Sequence, residues 1–137
     1  MKIDYFDQDI KEVLFDADAI REKVRELGER ISRDYAGKEI VAVCVLRGSL
    51  VFTADLIREI NLPMEIDTMV ISSYGASTKS SGVVRIIKDL QTDINGKHVL
   101  LIEDIVDTGL TLDFLIRNLE SREPASVKAC VFLDKPE

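Results

Sequence analysis

Apolar positions along this chain follow two rhythms that alternate from end to end. Ile20, Val24, Leu27 and Ile31 recur at three- and four-residue spacing and predict an amphipathic helix. Asp16 stands at its N-cap, Phe15 and Ile20 are spaced as a hydrophobic staple, and Gly37 is a natural stop. Residues 40–46 (IVAVCVL) then carry no polar side chain and are rich in β-branched types, as a strand buried on both faces requires. Arg47-Gly48-Ser49 breaks that run. A second helix is expected from residue 49 to about 60, with Leu50, Ala54 and Ile57 on one side and Asn61-Leu62-Pro63 at its end.

Residues 64–73 read as a strand, the small polar stretch 74–82 as a loop, and residues 83–90 as a return to strand. Asn95-Gly96 marks a turn. Residues 98–102 (HVLLI) form a second buried strand, which runs into the segment Glu103-Asp104-Ile105-Val106-Asp107-Thr108-Gly109-Leu110-Thr111. A third helix follows, with Leu112, Leu115, Ile116 and Leu119 on its apolar face, and residues 127–133 make a last buried strand. Buried strands alternating with helices predict an α/β fold with a mainly parallel central sheet flanked by helices. Ligands gather at the carboxyl ends of such strands. That singles out Arg47-Gly48-Ser49, the segment from Glu103 to Thr111, and Asp134-Lys135.

The chain's 137 residues suffice for one domain with a real core, expected over residues 1–137. A content of 46% apolar and 31% charged residues fits a soluble globular protein rather than a disordered or fibrous one. No apolar run approaches the roughly 20 residues that span a bilayer. Met1-Lys2-Ile3-Asp4-Tyr5 lacks the basic-then-apolar order of a signal peptide. Cys44 and Cys130 sit inside apolar runs and read as buried thiols, so the expected compartment is the cytoplasm. The net charge of -7 argues against nucleic acid as a partner. Phosphorylated small molecules stay open, because backbone N–H groups, helix N-termini and Mg2+ hold them without entering the charge count.

The segment from Glu103 to Thr111 carries the chemistry. Three carboxylates at the end of a buried strand repel one another and resist desolvation unless something compensates. Sugar hydroxyls or a bound Mg2+ would do so, and adjacent Glu103 and Asp104 suit a vicinal diol. Thr108-Gly109-Leu110-Thr111 stands immediately before a helix, where backbone N–H groups, two hydroxyls and the helix dipole favour a phosphate. Gly109 lets the backbone come close. A diol site beside a phosphate site matches a ribose 5-phosphate. A capped acidic strand end would explain Thr108 or Thr111, but not three acids after an apolar run. A P-loop nucleotidase is disfavoured, since no G-x-x-x-x-G-K-[ST] occurs.

The order of apolar strand, two acids, two apolar residues and Asp-Thr-Gly-x-Thr resembles the phosphoribosyl pyrophosphate motif of type I phosphoribosyltransferases. Leu46-Arg47-Gly48, Ser73-Tyr74-Gly75 and Asp134-Lys135-Pro136 extend the resemblance, which covers the chain from the first helix to Lys135. It is greatest to the hypoxanthine-guanine branch. The resemblance implies transfer of 5-phosphoribosyl to a 6-oxopurine, with release of pyrophosphate and formation of IMP or GMP. Glu103 and Asp104 would hold the ribose hydroxyls and, indirectly, Mg2+. Asp107 would act as general base or acid at purine N7, and Asp107, Thr108, Gly109, Leu110 and Thr111 would bind the 5-phosphate. Leu46, Arg47 and Gly48 would form a pyrophosphate loop, with a non-proline cis bond between Leu46 and Arg47. Ser73 and Tyr74 would begin a flexible catalytic loop, and Lys135 would donate to the exocyclic purine oxygen. A homodimer or homotetramer is implied as well.

Members of this family continue past Asp-Lys-Pro with residues that stack on the base and bind a Mg2+. The expectation is therefore a type I phosphoribosyltransferase fold with the C-terminal part of its hood absent. A non-catalytic phosphoribosyl pyrophosphate-binding regulator is the rival reading, and an unrelated flavodoxin-like domain a third. His98 reads as surface or structural, and Arg85, Lys88 and Lys97 as solvated charges.

Overall fold

The computed structural model describes residues 17–73, 84–106 and 109–134. The chain forms two compact units, one from Met1–Ala36 with Ala54–Leu62, the other from Gly37–Thr53 with Pro63–Glu137. Asp16 and Phe15, the expected cap and staple, lie outside the described residues.

In the first unit, α1 (Ala17–Asp34) follows the predicted stripe and buries Val24, Gly28 and Ile31. Its outer face is laced by ion pairs, among them Arg25 with Glu22 and Arg25 with Glu29. Gly28 meets the chain at Glu59. A Cβ built on it would stand 2.4 Å from Glu59 Cβ and 2.6 Å from the Glu59 carbonyl oxygen. One turn on, Ser32 Oγ donates to Gly28 O (2.8 Å) and accepts from Asn61 N (2.9 Å). Small residues at positions 28 and 32 therefore let two backbones touch and join them by hydrogen bonds.

Helix α2 (Leu50–Ile57) begins in the second unit and ends in the first. It stops three residues short of the expected position 60. Glu59 N and Ile60 N bond to Leu56 O and Ile57 O, the tighter i to i−3 pattern of a helix unwinding ahead of Pro63.

The second unit is a five-stranded sheet in the order β3-β2-β1-β4-β5. Its strands are β1 (Ile40–Leu46), β2 (Met64–Ser73), β3 (Val84–Lys88), β4 (His98–Val106) and β5 (Ser126–Asp134), with α3 (Leu110–Glu120) between the last two. β1 runs parallel to both β2 and β4, and β4 is parallel to β5; only β3 is antiparallel, to β2. The expected mainly parallel sheet is thus observed. On one face Val41, Val43 and Val45 pack with Met69, Val99, Leu101 and Ile94 beneath Leu115 and Leu119 of α3. Each fully buried leucine there contributes about 1.5–3 kcal/mol.

Two boundaries differ from expectation. β3 ends at Lys88 rather than at residue 90, because carboxylates capture the amides that follow. Leu90 N donates to Asp89 Oδ1, while Gln91 N and Thr92 N donate to Asp67 Oδ2. β4 runs on to Val106 instead of ending at Ile102, since pairing with β5 continues through Glu103↔Val131, Ile105↔Leu133 and Val106↔Asp134. Two charges expected in solvent are instead engaged. Lys88 Nζ donates to Thr68 O (2.8 Å), and Lys97 Nζ lies 3.5 Å from Glu65 Oε1. His98 is structural as expected, with Nδ1 2.7 Å from Ser126 Oγ.

Candidate active site

Strand order places the site. From β1 the chain moves first to β2 on one side and later to β4 on the other, so the topological switch point lies between β1 and β4. Their pairing stops at Cys44↔Ile102, while β4 continues four residues further along β5 alone. The carboxyl end of β4 therefore projects past its pairing with β1. Residues 46–49 and 103–106, from two of the segments singled out from the sequence, meet this edge.

At the end of β1 the Leu46–Arg47 peptide is cis, as the resemblance implied. Arg47 and Gly48 are exposed, whereas Ser49 is fully buried. Ser49 Oγ donates to Val45 O (2.6 Å) and lies 3.4 Å from Cys44 Sγ. Its hydroxyl thus turns back to the strand and does not cap α2. The turn is pinned from below, with Leu50 N bonding to Arg47 O (3.1 Å), and Arg47 and Gly48 are left facing solvent. That geometry suits a loop that meets an anionic ligand with backbone and guanidinium.

At the end of β4, Glu103 is half-buried, and both Glu103 and Asp104 belong to the strand backbone rather than to the loop. Gly109 is the N-cap of α3 at φ 83°, ψ -10°, a left-handed conformation that favours glycine, and no side chain caps the helix there. The space a Cβ would occupy is open, so conformation rather than crowding calls for glycine. Leu110 and Thr111 form the first turn, where the positive end of the helix dipole favours an anion. Asp107, Thr108, Tyr74 and Lys135 lie outside the described residues, as do the side chains of Asp104 and Ser73. In the backbone, Ser73 is the last residue of β2, and Asp134, just before Lys135, is the last of β5.

Asp67 went unassigned in the sequence reading. It is 7% exposed in the middle of β2 and accepts from Thr68 N (2.8 Å), Gln91 N (2.8 Å) and Thr92 N (2.9 Å). Burial on its own would push this carboxyl up. The amides of Thr68, Thr92 and Gln91 outweigh it and hold the group below the usual carboxylate range. Asp67 is one of two acids, with Glu65, in the otherwise strand-like run MEIDTMVISS. Among the described residues no three acids, histidines or cysteines come together as a ready metal cage. A groove of about 640 Å3 is lined by Ala17, Ile20, Val24, Asp55 and neighbouring residues of the first unit, none of them a predicted site residue.

Comparison with known proteins shows the family and the fold. Residues 12–137 match the model of the phosphoribosyl transferase domain. Hypoxanthine-guanine phosphoribosyltransferase of Mycobacterium tuberculosis is 49% identical over 135 residues, covering 94% of this chain and 67% of that protein. The Streptococcus thermophilus protein of the same name is 48% identical over 131 residues, covering 96% of this chain and 73% of its own length. A crystal structure of a hypoxanthine phosphoribosyltransferase from Staphylococcus aureus superposes with a TM-score of 0.91 at 44% identity, over 96% of this chain and 72% of that one.

Proposed function

This chain belongs to the phosphoribosyl transferase domain family, and from that premise we propose that it transfers 5-phosphoribosyl from phosphoribosyl pyrophosphate to hypoxanthine and guanine. The products are IMP or GMP and pyrophosphate, a purine-salvage reaction. One observation carries the reading: β4 outruns β1 at the switch point and leads through Asp107-Thr108 into a helix that opens on a left-handed glycine with no side-chain cap. An acidic strand end followed at once by an anion-receptive helix start suits a sugar phosphate.

In this reading Glu103 and Asp104 accept from the ribose hydroxyls. The amides of residues 108–111 take the 5-phosphate, and Arg47 and Gly48 face the pyrophosphate. Asp107 exchanges a proton at purine N7, and Lys135 donates to the exocyclic oxygen. Ser73 and Tyr74 open the segment that shields the reacting carbon from water. The hard carboxylate oxygens of Glu103 and Asp104 fit Mg2+, held indirectly, which when bound neutralises charge on the departing pyrophosphate. Residues 1–137 act as one domain, a proposal supported by the span of the family match. The buried cysteines Cys44 and Cys130, in no disulfide, are consistent with a cytoplasmic location. Leu50, Val51, Ile66 and Ile87, each more than half exposed, offer apolar surface to a homodimer or homotetramer.

The test is formation of IMP and GMP with Mg2+ present, for the wild type and for Asp107→Asn. Loss of a general acid–base group costs about 100- to 10,000-fold in turnover. The substitution should do that while phosphoribosyl pyrophosphate affinity changes little. Unchanged kcat removes Asp107 from its role. A wild type that binds phosphoribosyl pyrophosphate without product favours a regulator instead.

A further inference from the structure

α3 starts at the phosphate turn, and the residues just past its other end bind a different part of the sheet. Arg122 Nη2 donates to Asp89 Oδ1 (2.9 Å) and Oδ2 (3.1 Å), and to Asn118 Oδ1 (2.7 Å) in the last turn of the helix. Asp89 is itself held. Its carbonyl and that of Thr68 both accept from Lys88 Nζ, at 3.1 and 2.8 Å. The residues that follow it, Gln91 and Thr92, donate their amides to buried Asp67. Chain segments 33 residues apart in sequence are thus joined through Arg122, and the joint is anchored to β2.

An exposed ion pair contributes little to folding, and α3 is already secured by Leu115 and Leu119. What the bridge adds is control of angle. Leu110 lies five residues from Leu115, about 7.5 Å along the helix at roughly 1.5 Å per residue. A tilt of about 5° around Leu115 moves that end by about 0.7 Å, close to the ~1 Å misplacement that already impairs catalysis. We propose that the Arg122–Asp89 bridge is a positioning device for phosphoribosyl transfer. It sets the tilt of α3, and with it the amides of Gly109, Leu110 and Thr111, against the β2–β3 pair whose connection begins at Tyr74. This rests on the reading of the α3 start as the 5-phosphate site.

The experiment compares wild type, Arg122→Ala, Asp89→Ala and the exchange Asp89→Arg with Arg122→Asp. Steady-state kinetics are run with phosphoribosyl pyrophosphate varied, then with purine varied, and calorimetry gives Kd for phosphoribosyl pyrophosphate. Each single variant should raise KM and Kd for phosphoribosyl pyrophosphate about three- to tenfold, with KM for purine changed less than about twofold. The exchange should recover most of that loss. A merely structural bridge lowers the folded fraction, so that Vmax and Tm fall while KM and Kd stay put, and this result overturns the proposal. So does an exchange no better than the single variants. Wild type that binds without turnover sinks the transferase reading alone, because Kd still tests the bridge. Wild type that does not bind phosphoribosyl pyrophosphate sinks both.

Discussion

Replacing Gly28 by alanine tests the close approach of α1 to Glu59, because helix propensity and packing predict opposite signs. In an open helix interior the change stabilises by about 0.5–1 kcal/mol. Here the new Cβ would stand 2.4 Å from Glu59 Cβ, 2.6 Å from Glu59 O and 2.8 Å from Glu59 C. Carbon atoms rest about 3.5–4.0 Å apart, so α1 must retreat by about 1 Å. Backbone cannot rotate away as a side-chain tip can, which puts the cost near the top of the roughly 1–3 kcal/mol range for overpacking. The retreat also stretches the Ser32 link to Asn61, now 2.9 Å, for about 1 kcal/mol more. With the propensity gain subtracted, the net loss is about 2–3 kcal/mol. At about 2.1 cal/mol/K per residue, 137 residues give an unfolding entropy near 0.29 kcal/mol/K, and Tm falls by roughly 7–10 °C. Thermal unfolding followed by circular dichroism, with the urea midpoint as a second measure, checks the value. A variant as stable as the wild type, or more so, refutes the close-approach argument.

Two further substitutions test the second unit. The folded-state pKa of Asp67 lies below its unfolded value of roughly 3.9, so its contribution is complete above that pH and is lost as pH falls through the depressed value. Asp67→Asn should therefore be less stable at pH 6 yet lose less between pH 5 and pH 3, as read from urea midpoints; parallel losses would contradict this. Glu123 adopts φ 59°, a left-handed backbone that costs a non-glycine residue about 1–2 kcal/mol. Glu123→Gly should gain about 1 kcal/mol, or roughly 3 °C in Tm, and a lower Tm would show that its side chain matters more than its backbone.

Much of the scaffold was legible in the sequence. Residues 40–46 form β1 with the expected limits, because a run buried on both faces admits no polar residue. The stripe of Val24 and Ile31 on α1, and of Leu115 and Leu119 on α3, is the plain signature of one-sided burial. Local pattern could not reveal what distant partners decide. β4 is longer than its apolar run because β5 keeps pairing with it, and Lys88 is engaged because Thr68 O lies within reach across the sheet. Asp67 escaped for the same reason, since its donors come from residues 91 and 92. The candidate site was readable as an order of parts: strand, acids, glycine, helix. The cis bond at Leu46–Arg47 came from resemblance alone, because no residue preference announces it.

The amino edge of the sheet offers an experimental handle. There Gly96 N bonds to Glu123 O, Ala125 N to Lys97 O and His98 N to Glu39 O, so three loops are knitted into one seam. The exposed side chains of Asn95 and Glu123 stand on that seam, at the opposite ends of β4 and β5 from Val106 and Asp134. A fluorophore or surface tether attached at position 95 would leave the carboxyl edge untouched, giving an optical probe or an immobilised protein whose chemistry can be followed undisturbed.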